Sequence, residues 1–209
     1  MRIRYKPWAR KELEESKFYR EHPEELIGKW KNEYARPEQP LFVELGCGKG
    51  GFISEKASLH PENNYLAIDL VDPMLGLAKR KVEEAYSEAD REIDNIILTR
   101  FDIERILLIL NKQDLVEGIY INFCNPWPRG KHHKKRLTYT RQLEHYKQFL
   151  KPGGKIYFKT DDDNLFEESI HYFEDTEFKI EKITRDLQNE PDFWENIETE
   201  HEKMFSEQG

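Results

Sequence analysis

A glycine-rich turn after an apolar run carries the clearest chemistry in this sequence. Residues 42–52 read FVELGCGKGGF, in which Glu44 is followed by Gly46, Gly48 and Gly50. Glycines at this spacing let the backbone turn tightly from a strand into a helix and approach a ligand closely. The Glu44 carboxylate is placed to hold a cationic or hydroxyl-bearing group. The segment therefore predicts a site for a nucleotide-like ligand.

The identity of that ligand stays open at this point. The three glycines match the GxGxG pattern, and replacing the third by Gly51 gives an equally good GxGxxG match. The first pattern is typical of S-adenosylmethionine sites and the second of NAD sites, and a glycine pattern alone also fits a turn that binds nothing. Other segments of the chain are needed to distinguish S-adenosylmethionine from NAD.

A second loop favours methyl transfer over hydride transfer. Residues 125–128 read NPWP, where the two prolines fix the backbone and Trp127 offers a flat apolar surface. The loop is similar to the (N/D)PP(aromatic) loop of methyltransferases that act on nitrogens of planar bases, and a dehydrogenase has no obvious use for it. The alternative is a rigid loop with a packing tryptophan.

A basic run follows this loop directly. Residues 129–136 read RGKHHKKR, with five cations, two histidines and no acid, whereas residues 161–209 hold 17 acids and four Lys or Arg. The net charge of −8 therefore conceals a local basic patch, and phosphate binding depends on the local field. A cationic loop beside a base-sized pocket suits a polynucleotide substrate. His132 and His133 are adjacent and lack zinc-ligand spacing, so no metal site is predicted.

The elements that position these residues alternate along the chain. Apolar runs predict strands at 41–45, 64–70, 95–102, 118–124, 156–161 and 178–187. Helical patterns cover 11–19, 51–60, 72–86, 103–110, 137–150 and 165–173. This alternation predicts an α/β fold with a doubly wound, mostly parallel sheet. Ligands of such sheets bind beyond the carboxyl ends of the strands, so five strand-end residues are expected to line one crevice: Glu44, Asp69, Asp102, Asn125 and Asp161.

Bulk composition limits the class of protein. A chain of 209 residues suits one α/β domain, and its 37% hydrophobic and 35% charged residues predict a highly charged surface. No apolar run approaches the ~20 residues that span a bilayer, so no membrane segment is expected. Cys47 and Cys124 do not make a disulfide framework, which favours a reducing cytoplasm.

On five segments the chain resembles the bacterial tRNA (guanine-N7-)-methyltransferase family. These segments are MRIRYKPWA, ELGCGKGGFI, YINFCNPWPRGKHHKKRLTY, IYFKTD and IETEHEKMF. The resemblance implies a Rossmann-like class I S-adenosylmethionine-dependent methyltransferase that methylates N7 of a guanosine in the tRNA variable loop. The residues themselves predict a basic arm and a short helix at 1–36, with the breaker RPEQP at 36–40 before the core, so the methyltransferase domain is expected at 37–209. RNA contact is expected from this arm and from the loop at 129–136. The family continues with a further strand, which is expected to be missing here.

The resemblance also assigns roles to residues. The implied cofactor site comprises Glu44, Gly46, Gly48, Gly50, Asp69, Asp102 and Asn125. The implied substrate site comprises Arg129, Asp161, Thr199, Glu200 and Glu202, with Asn125 and Asp161 as catalytic residues. The family usually has an aspartate where this chain has Asn125. We expect activity to survive, because N7 methylation needs no proton acceptor.

Two alternatives remain at this stage. One is an amino-methyltransferase acting on another base or on a protein, and the other is a catalytically idle RNA-binding subunit. The sequence does not indicate an oligomeric state.

Overall fold

Six parallel strands form one sheet. The computed structural model describes residues 6–190 and residues 197, 199 and 202. The strands are β1 (Tyr19–Arg20), β2 (Leu41–Leu45), β3 (Asn64–Asp69), β4 (Ile96–Arg100), β5 (Val116–Asn122) and β6 (Leu150–Lys159). Their order across the sheet is β1-β4-β3-β2-β5-β6, and every neighbouring pair is parallel. The order reverses between β2 and β5, which places the ligand crevice of a doubly wound fold at their carboxyl ends.

Helices cover both faces of the sheet. They are α1 (Pro7–Glu14), α2 (Gly51–Leu59), α3 (Asp72–Glu88), α4 (Thr140–Tyr146) and α5 (Asp163–Asp175). Alternate strand residues face two separate cores, since Phe42 packs against the cluster that holds residues of α1, α2 and α3, while Val43 lies in the cluster that contains Leu143 of α4. None of the described helices is long and apolar enough to cross a lipid bilayer.

The N-terminal helix begins and ends earlier than predicted. Helix α1 spans Pro7–Glu14 instead of 11–19, and Pro7 at its first position supplies a backbone angle suited to a helix start. Tyr19 is instead in β1, opposite Leu98 of β4. A Cβ at Gly76 would lie 2.7 Å from the Ala9 Cβ, so α1 packs closely on α3.

The predicted helix at 137–150 is wrong at both ends. Only Thr140–Tyr146 is helical, and β6 begins at Leu150. The KPGG segment that was expected to precede a strand lies inside one, as a bulge between Leu150 opposite Val116 and Lys155 opposite Gly118. Proline and glycine are tolerated in strands at such irregularities. The predicted helix at 103–110 is a 3-10 helix, Ile103–Leu108.

The predicted strand at 178–187 is also wrong. Its alternating pattern fits a half-buried strand, but a strand needs a neighbour for its backbone hydrogen bonds. A groove of about 760 Å³ is lined by this segment, β6 and α5. The segment contacts β6 through side chains, with Lys155 Nζ 2.7 Å from Glu181 Oε2. Among the described residues, β6 is therefore the edge strand on this side of the sheet, and β1 is the edge strand on the other side.

Candidate active site

The glycine turn joins β2 to α2 at the switch point of the sheet. Gly46, Gly48 and Gly50 have φ angles of +80°, +55° and +79°, which residues with side chains rarely adopt. A Cβ at Gly48 would meet nothing within 4 Å, whereas a Cβ at Gly50 would lie 2.6 Å from the Ala78 Cβ. Gly48 therefore leaves room for a ligand, and Gly50 lets α2 pack against α3.

Glu44 is a buried acid with one unsatisfied oxygen. Its side chain is on β2 and the residue is 2% exposed. Oε1 accepts a hydrogen bond of 3.0 Å from the Asn122 side-chain amide, while Oε2 has no hydrogen-bond partner among the described residues. Burial raises the pKa of Glu44 to about 7, against the opposing effects of Asn122 and Lys159. A buried oxygen without a partner is costly, so this atom is a candidate acceptor for a donor group of a ligand.

Asp69 ends β3 and orders the glycine turn. Its Oδ2 accepts from the Gly48 amide at 3.0 Å, and its Oδ1 accepts from the Val71 amide at 3.0 Å. Burial raises the pKa of Asp69, although these backbone hydrogen bonds oppose the effect. Each carboxylate oxygen retains a second acceptor position. Asp69 can therefore accept from the hydroxyls of a ribose while it holds the turn.

Asp102 lies just beyond β4 and is half-buried. Its Oδ1 accepts from the Glu104 amide at 3.0 Å, so it caps the 3-10 helix that follows. Its predicted contact with an adenine edge stays a prediction.

Two polar residues that sequence reasoning missed lie beside Glu44. Asn122 ends β5 and is paired in register with Lys159 at the end of β6. The Lys159 residue is 8% exposed, and its Nζ donates to the Ile197 carbonyl oxygen at 3.2 Å. Both residues interrupt apolar strands, in YINFC and IYFKTD, and that interruption was the available signal.

Residues 199 and 202 are described, and both are buried. The Thr199 amide donates to Glu202 Oε2 at 2.7 Å, and the Glu202 amide donates to Thr199 Oγ1 at 3.2 Å. This reciprocal pair has the form of a capping box. Lys159 Nζ lies 3.5 Å from Glu202 Oε2. The predicted substrate residue Glu200 lies outside the described residues.

The NPWP loop lies at the carboxyl end of β5, where Asn125 and Pro128 are exposed and Pro126 and Trp127 are half-buried. Asn125 Oδ1 accepts from the Trp127 amide at 3.1 Å, which stabilises Trp127 in a left-handed conformation with φ of +45°. Lys135 Nζ lies 5.0 Å from the centre of the Trp127 ring, and His132 meets the ring edge-on at 5.7 Å between centroids. The loop is therefore tied to the basic run that follows it.

The basic run forms a 3-10 helix, Gly130–Lys135, and not all of its cations face solvent. Arg129, Lys131, Lys134 and Lys135 are exposed. Arg136 is fully buried, which corrects the expectation that the whole run forms one solvent-facing basic patch. Its guanidinium donates to the Pro126 carbonyl at 2.7 Å, to Asn164 Oδ1 at 2.7 Å and to Glu168 Oε2 at 2.9 Å. Arg136 therefore anchors the NPWP loop to α5.

Asp161 is exposed just beyond β6. The next residue, Asp162, accepts from the Leu165 amide at 2.7 Å and caps α5. Asp161 and Glu202 both line the 760 Å³ groove described above. The Asp161 side chain is thus placed at a solvent-accessible opening beside the Thr199–Glu202 pair.

The structure brings some predicted residues together by direct contact. Hydrogen bonds connect Asp69 to the glycine turn and Glu44 to Asn122, and Lys159 connects the same strand ends to Glu202. Asn125, Arg129 and Asp161 share this edge of the sheet but are exposed. The roles assigned to these residues stay predictions.

Neither cysteine is suited to nucleophilic chemistry. Cys47 is buried in the glycine turn, and burial raises the pKa of its thiol. Burial also raises the pKa of the Cys124 thiol, which precedes the NPWP loop, to about 12. Thiolates are the reactive form, so both side chains act as small apolar groups.

Comparison with known proteins relates this chain to a family of methyltransferases. A family model described as "Putative methyltransferase" matches residues 38–209. The tRNA (guanine-N(7)-)-methyltransferase of Clostridium beijerinckii is 56% identical over 100% of this chain and 94% of its own length. The proteins of the same name from Clostridium perfringens and Acetivibrio thermocellus are 53% and 47% identical, each over 100% of this chain and 95% of its own length.

Solved structures agree on the fold. An antibiotic-related methyltransferase superimposes with a TM-score of 0.51 at 18% identity, over 69% of this chain and 71% of its own. An arsenic(III) S-adenosylmethionine methyltransferase from Chlamydomonas reinhardtii gives a TM-score of 0.51 at 14% identity, over 73% and 59%. The predicted α/β methyltransferase architecture is confirmed.

Proposed function

This chain belongs to the bacterial tRNA (guanine-N(7)-)-methyltransferase family, and we propose that it transfers a methyl group from S-adenosylmethionine to N7 of a guanosine in tRNA. The observation that carries the proposal is 47–56% identity to proteins of that name over the whole of this chain. A tRNA substrate also leads us to place the reaction in the cytoplasm.

The cofactor fits the residues at the switch point. We assign the methionine ammonium of S-adenosylmethionine to Glu44, whose buried Oε2 lacks a partner among the described residues. We assign the ribose hydroxyls to Asp69 and the adenine edge to Asp102, in the crevice opened by Gly48. Bound S-adenosylmethionine would supply an electrophilic methyl group. The lone pair of guanine N7 would form the new bond to that carbon while the carbon–sulfur bond breaks and S-adenosylhomocysteine leaves.

The protein's task is then mainly positioning. Because no proton leaves N7, a general base is not required, and in-line alignment of the reacting atoms supplies most of the acceleration. Positive charge moves to the imidazole ring of guanine as the methyl group is transferred. We assign the stabilisation of that charge to Asp161, while Asn125 offers a neutral carbonyl oxygen. We assign the guanine edge to Glu202 and Thr199.

The RNA backbone is assigned to the exposed cations of the basic turn. Arg129, Lys131, Lys134 and Lys135 lie directly after the NPWP loop and face solvent. Their charge, in a chain with a net charge of −8, provides a local attraction for phosphates beside the reacting base.

Product identity tests the function directly. The protein is incubated with an unmodified tRNA transcript and labelled S-adenosylmethionine, and borohydride and aniline cleavage then locates N7-methylguanosine. A transcript with 7-deazaguanosine in the variable loop is the matched control, because it lacks the accepting nitrogen. N6-methyladenine or N4-methylcytosine would identify an amino-methyltransferase. Cofactor binding without any product in a single turnover would identify an RNA-binding subunit.

Single-turnover rates test the catalytic assignments. Asn125→Asp is expected to retain or raise the rate, because a carboxylate better stabilises the cationic ring. Asp161→Asn is expected to lower the rate much more, since it removes the proposed charged acceptor. Asp163→Asn changes an exposed acid at the start of α5 and serves as the control. A silent Asp161→Asn variant would place the guanine elsewhere.

A further inference from the structure

Lys159 is buried at the point where the two proposed ligand sites meet. It is the last residue of β6 and is 8% exposed. Its ammonium donates to the Ile197 carbonyl at 3.2 Å, lies 3.5 Å from Glu202 Oε2 and stands 5.9 Å from the centre of the Phe52 ring. A buried ammonium costs free energy unless partners compensate for lost water, so its position is specified by these contacts.

On one side, Lys159 faces the cofactor end of the sheet. Its register partner on β5 is Asn122, whose side-chain amide donates to Glu44 at 3.0 Å. The lysine charge also acts on Glu44 directly and opposes the effect of burial on the pKa of that carboxyl. The charge of Lys159 therefore reaches the carboxylate that we assign to the cofactor ammonium.

On the other side, Lys159 holds the segment assigned to guanosine. Glu202 Oε2 accepts from the Thr199 amide at 2.7 Å as well as facing the lysine. The Ile197 carbonyl, two residues before Thr199, is a second point of attachment to the same ammonium. Lys159 thus attaches Ile197 and Glu202 to the carboxyl end of β6.

We propose that Lys159 is a positioning residue that fixes Thr199 and Glu202 relative to Glu44, so that the guanosine and the methyl donor are held at a set separation. The proposal rests on the function proposed above. Lys159 would contact neither reacting atom, and its influence passes through Glu202 on one side and Glu44 on the other.

A pH profile distinguishes this role from a purely structural one. Glu44 is faced by Asn122 from β5, Lys159 from β6, Asp69 from β3 and the Cys47 thiol from the glycine turn. Because the pKa of Glu44 is about 7, cofactor affinity is expected to rise as the pH increases through that value. Loss of the lysine charge removes an effect that favours the carboxylate, so the midpoint is expected to move upward.

The test compares Lys159→Met with Lys155→Met. Lys155 is on the same strand but is exposed and paired with Glu181, so it controls for loss of a lysine from β6. Lys159→Met is expected to raise KM for tRNA by roughly tenfold. It is also expected to raise the calorimetric pH midpoint of S-adenosylmethionine affinity, because the charge that favours the Glu44 carboxylate is lost. Lys159→Arg keeps the charge and is expected to restore the midpoint.

Hydrogen–deuterium exchange of the ligand-free protein adds a readout that does not depend on activity. The Thr199 amide is expected to exchange faster in Lys159→Met, because the acceptor Glu202 loses its anchor. Should that variant fail to fold, Glu202→Ala, which removes the acceptor of the Thr199 amide, is expected to speed the same exchange while leaving the pH midpoint unchanged.

A folded Lys159→Met protein with wild-type KM, midpoint and exchange would overturn the proposal, as would unchanged Thr199 exchange in Glu202→Ala. A wild-type protein that makes no N7-methylguanosine would instead overturn the proposed function, and calorimetry and exchange would still decide the role of Lys159.

Discussion

The cofactor side and the RNA side of the carboxyl ends of the strands differ in how far their charged groups are exposed to solvent. On the cofactor side, Glu44 and Asp69 are buried or nearly so, and burial raises the pKa of both acids. On the RNA side, Asn125, Asp161 and the cations of the basic turn are exposed. A small ligand can be enclosed by preformed, desolvated groups, whereas a polyanion is attracted across an open surface. Substitutions on the two sides should therefore affect different measurements.

Arg136 is an exception to this division, and its substitution is expected to have the largest effect on the stability of the fold. It belongs to the basic run in sequence but is fully buried, with partners on the NPWP loop and α5. Arg136→Met removes the buried donor to these acceptors and is expected to lower the free energy of unfolding by about 3–5 kcal/mol. Urea denaturation measures the change. Lys135→Met, one residue earlier and exposed, is the control, and an equal small loss in both variants would contradict the burial argument.

Two glycines in one turn provide a matched pair with smaller effects. Gly50→Ala places a Cβ 2.6 Å from Ala78 at a φ of +79°, and we expect it to cost about 2–4 kcal/mol of stability. Gly48→Ala meets nothing within 4 Å and should cost about 1 kcal/mol from backbone strain. Its main effect should be weaker S-adenosylmethionine binding, measured by calorimetry. Equal stability losses would show that packing on α3 is unimportant.

The pH dependence of stability is expected to identify Glu44. Its ordinary pKa of 4.5 is raised to about 7 in the folded state, so the folded protein holds a proton that the unfolded chain releases. The contribution of Glu44 to the free energy of unfolding is fully present below about pH 4.5. It decreases as the pH rises to about 7, by up to about 3 kcal/mol. Thermal unfolding of ligand-free protein from pH 5 to 8 measures this. Glu44→Gln should flatten the plot of stability against pH. If the plot for this variant instead ran parallel to that of the wild type, the loss would have to come from other acids.

The smallest effects on stability are expected on the RNA side. Replacing Lys131, Lys134 and Lys135 by Gln should leave unfolding unchanged within about 0.5 kcal/mol, since all three are exposed. tRNA affinity should fall, and the slope of log affinity against log salt should flatten by roughly one unit per lost phosphate contact. S-adenosylmethionine affinity should not change. If the variant had the same salt slope as the wild type, the three lysines would not contact phosphates and the turn would be only a solvated surface.

The same division explains what the sequence could and could not predict. Glu44, the glycines and Asp69 form a local pattern within 26 residues of chain, and their placement at the carboxyl ends of β2 and β3 follows from strand and helix periodicity. The burial of Arg136 depends on Asn164 and Glu168, which lie 28 and 32 positions away along the chain. A run of like charges does not reveal which member meets such partners.

Two further errors have the same origin. The alternation at 178–187 predicts a strand, yet whether a strand forms depends on a neighbouring backbone that the pattern does not specify. The sequence around Lys159 does not distinguish it from an ordinary lysine of a strand. Its role depends on Asn122, which lies opposite it on β5, and on Glu202, which is 43 positions away along the chain. Local periodicity predicts elements, and long-range pairing decides which polar side chains they enclose.

The burial of both thiols has a practical consequence for following the molecule at work. With their pKa values raised by burial, Cys47 and Cys124 should react slowly with maleimides at neutral pH. A single cysteine introduced at the exposed position 134 would then carry a fluorophore selectively in an otherwise native background. Such a dye, on the turn next to Trp127, would report the arrival and departure of RNA in real time.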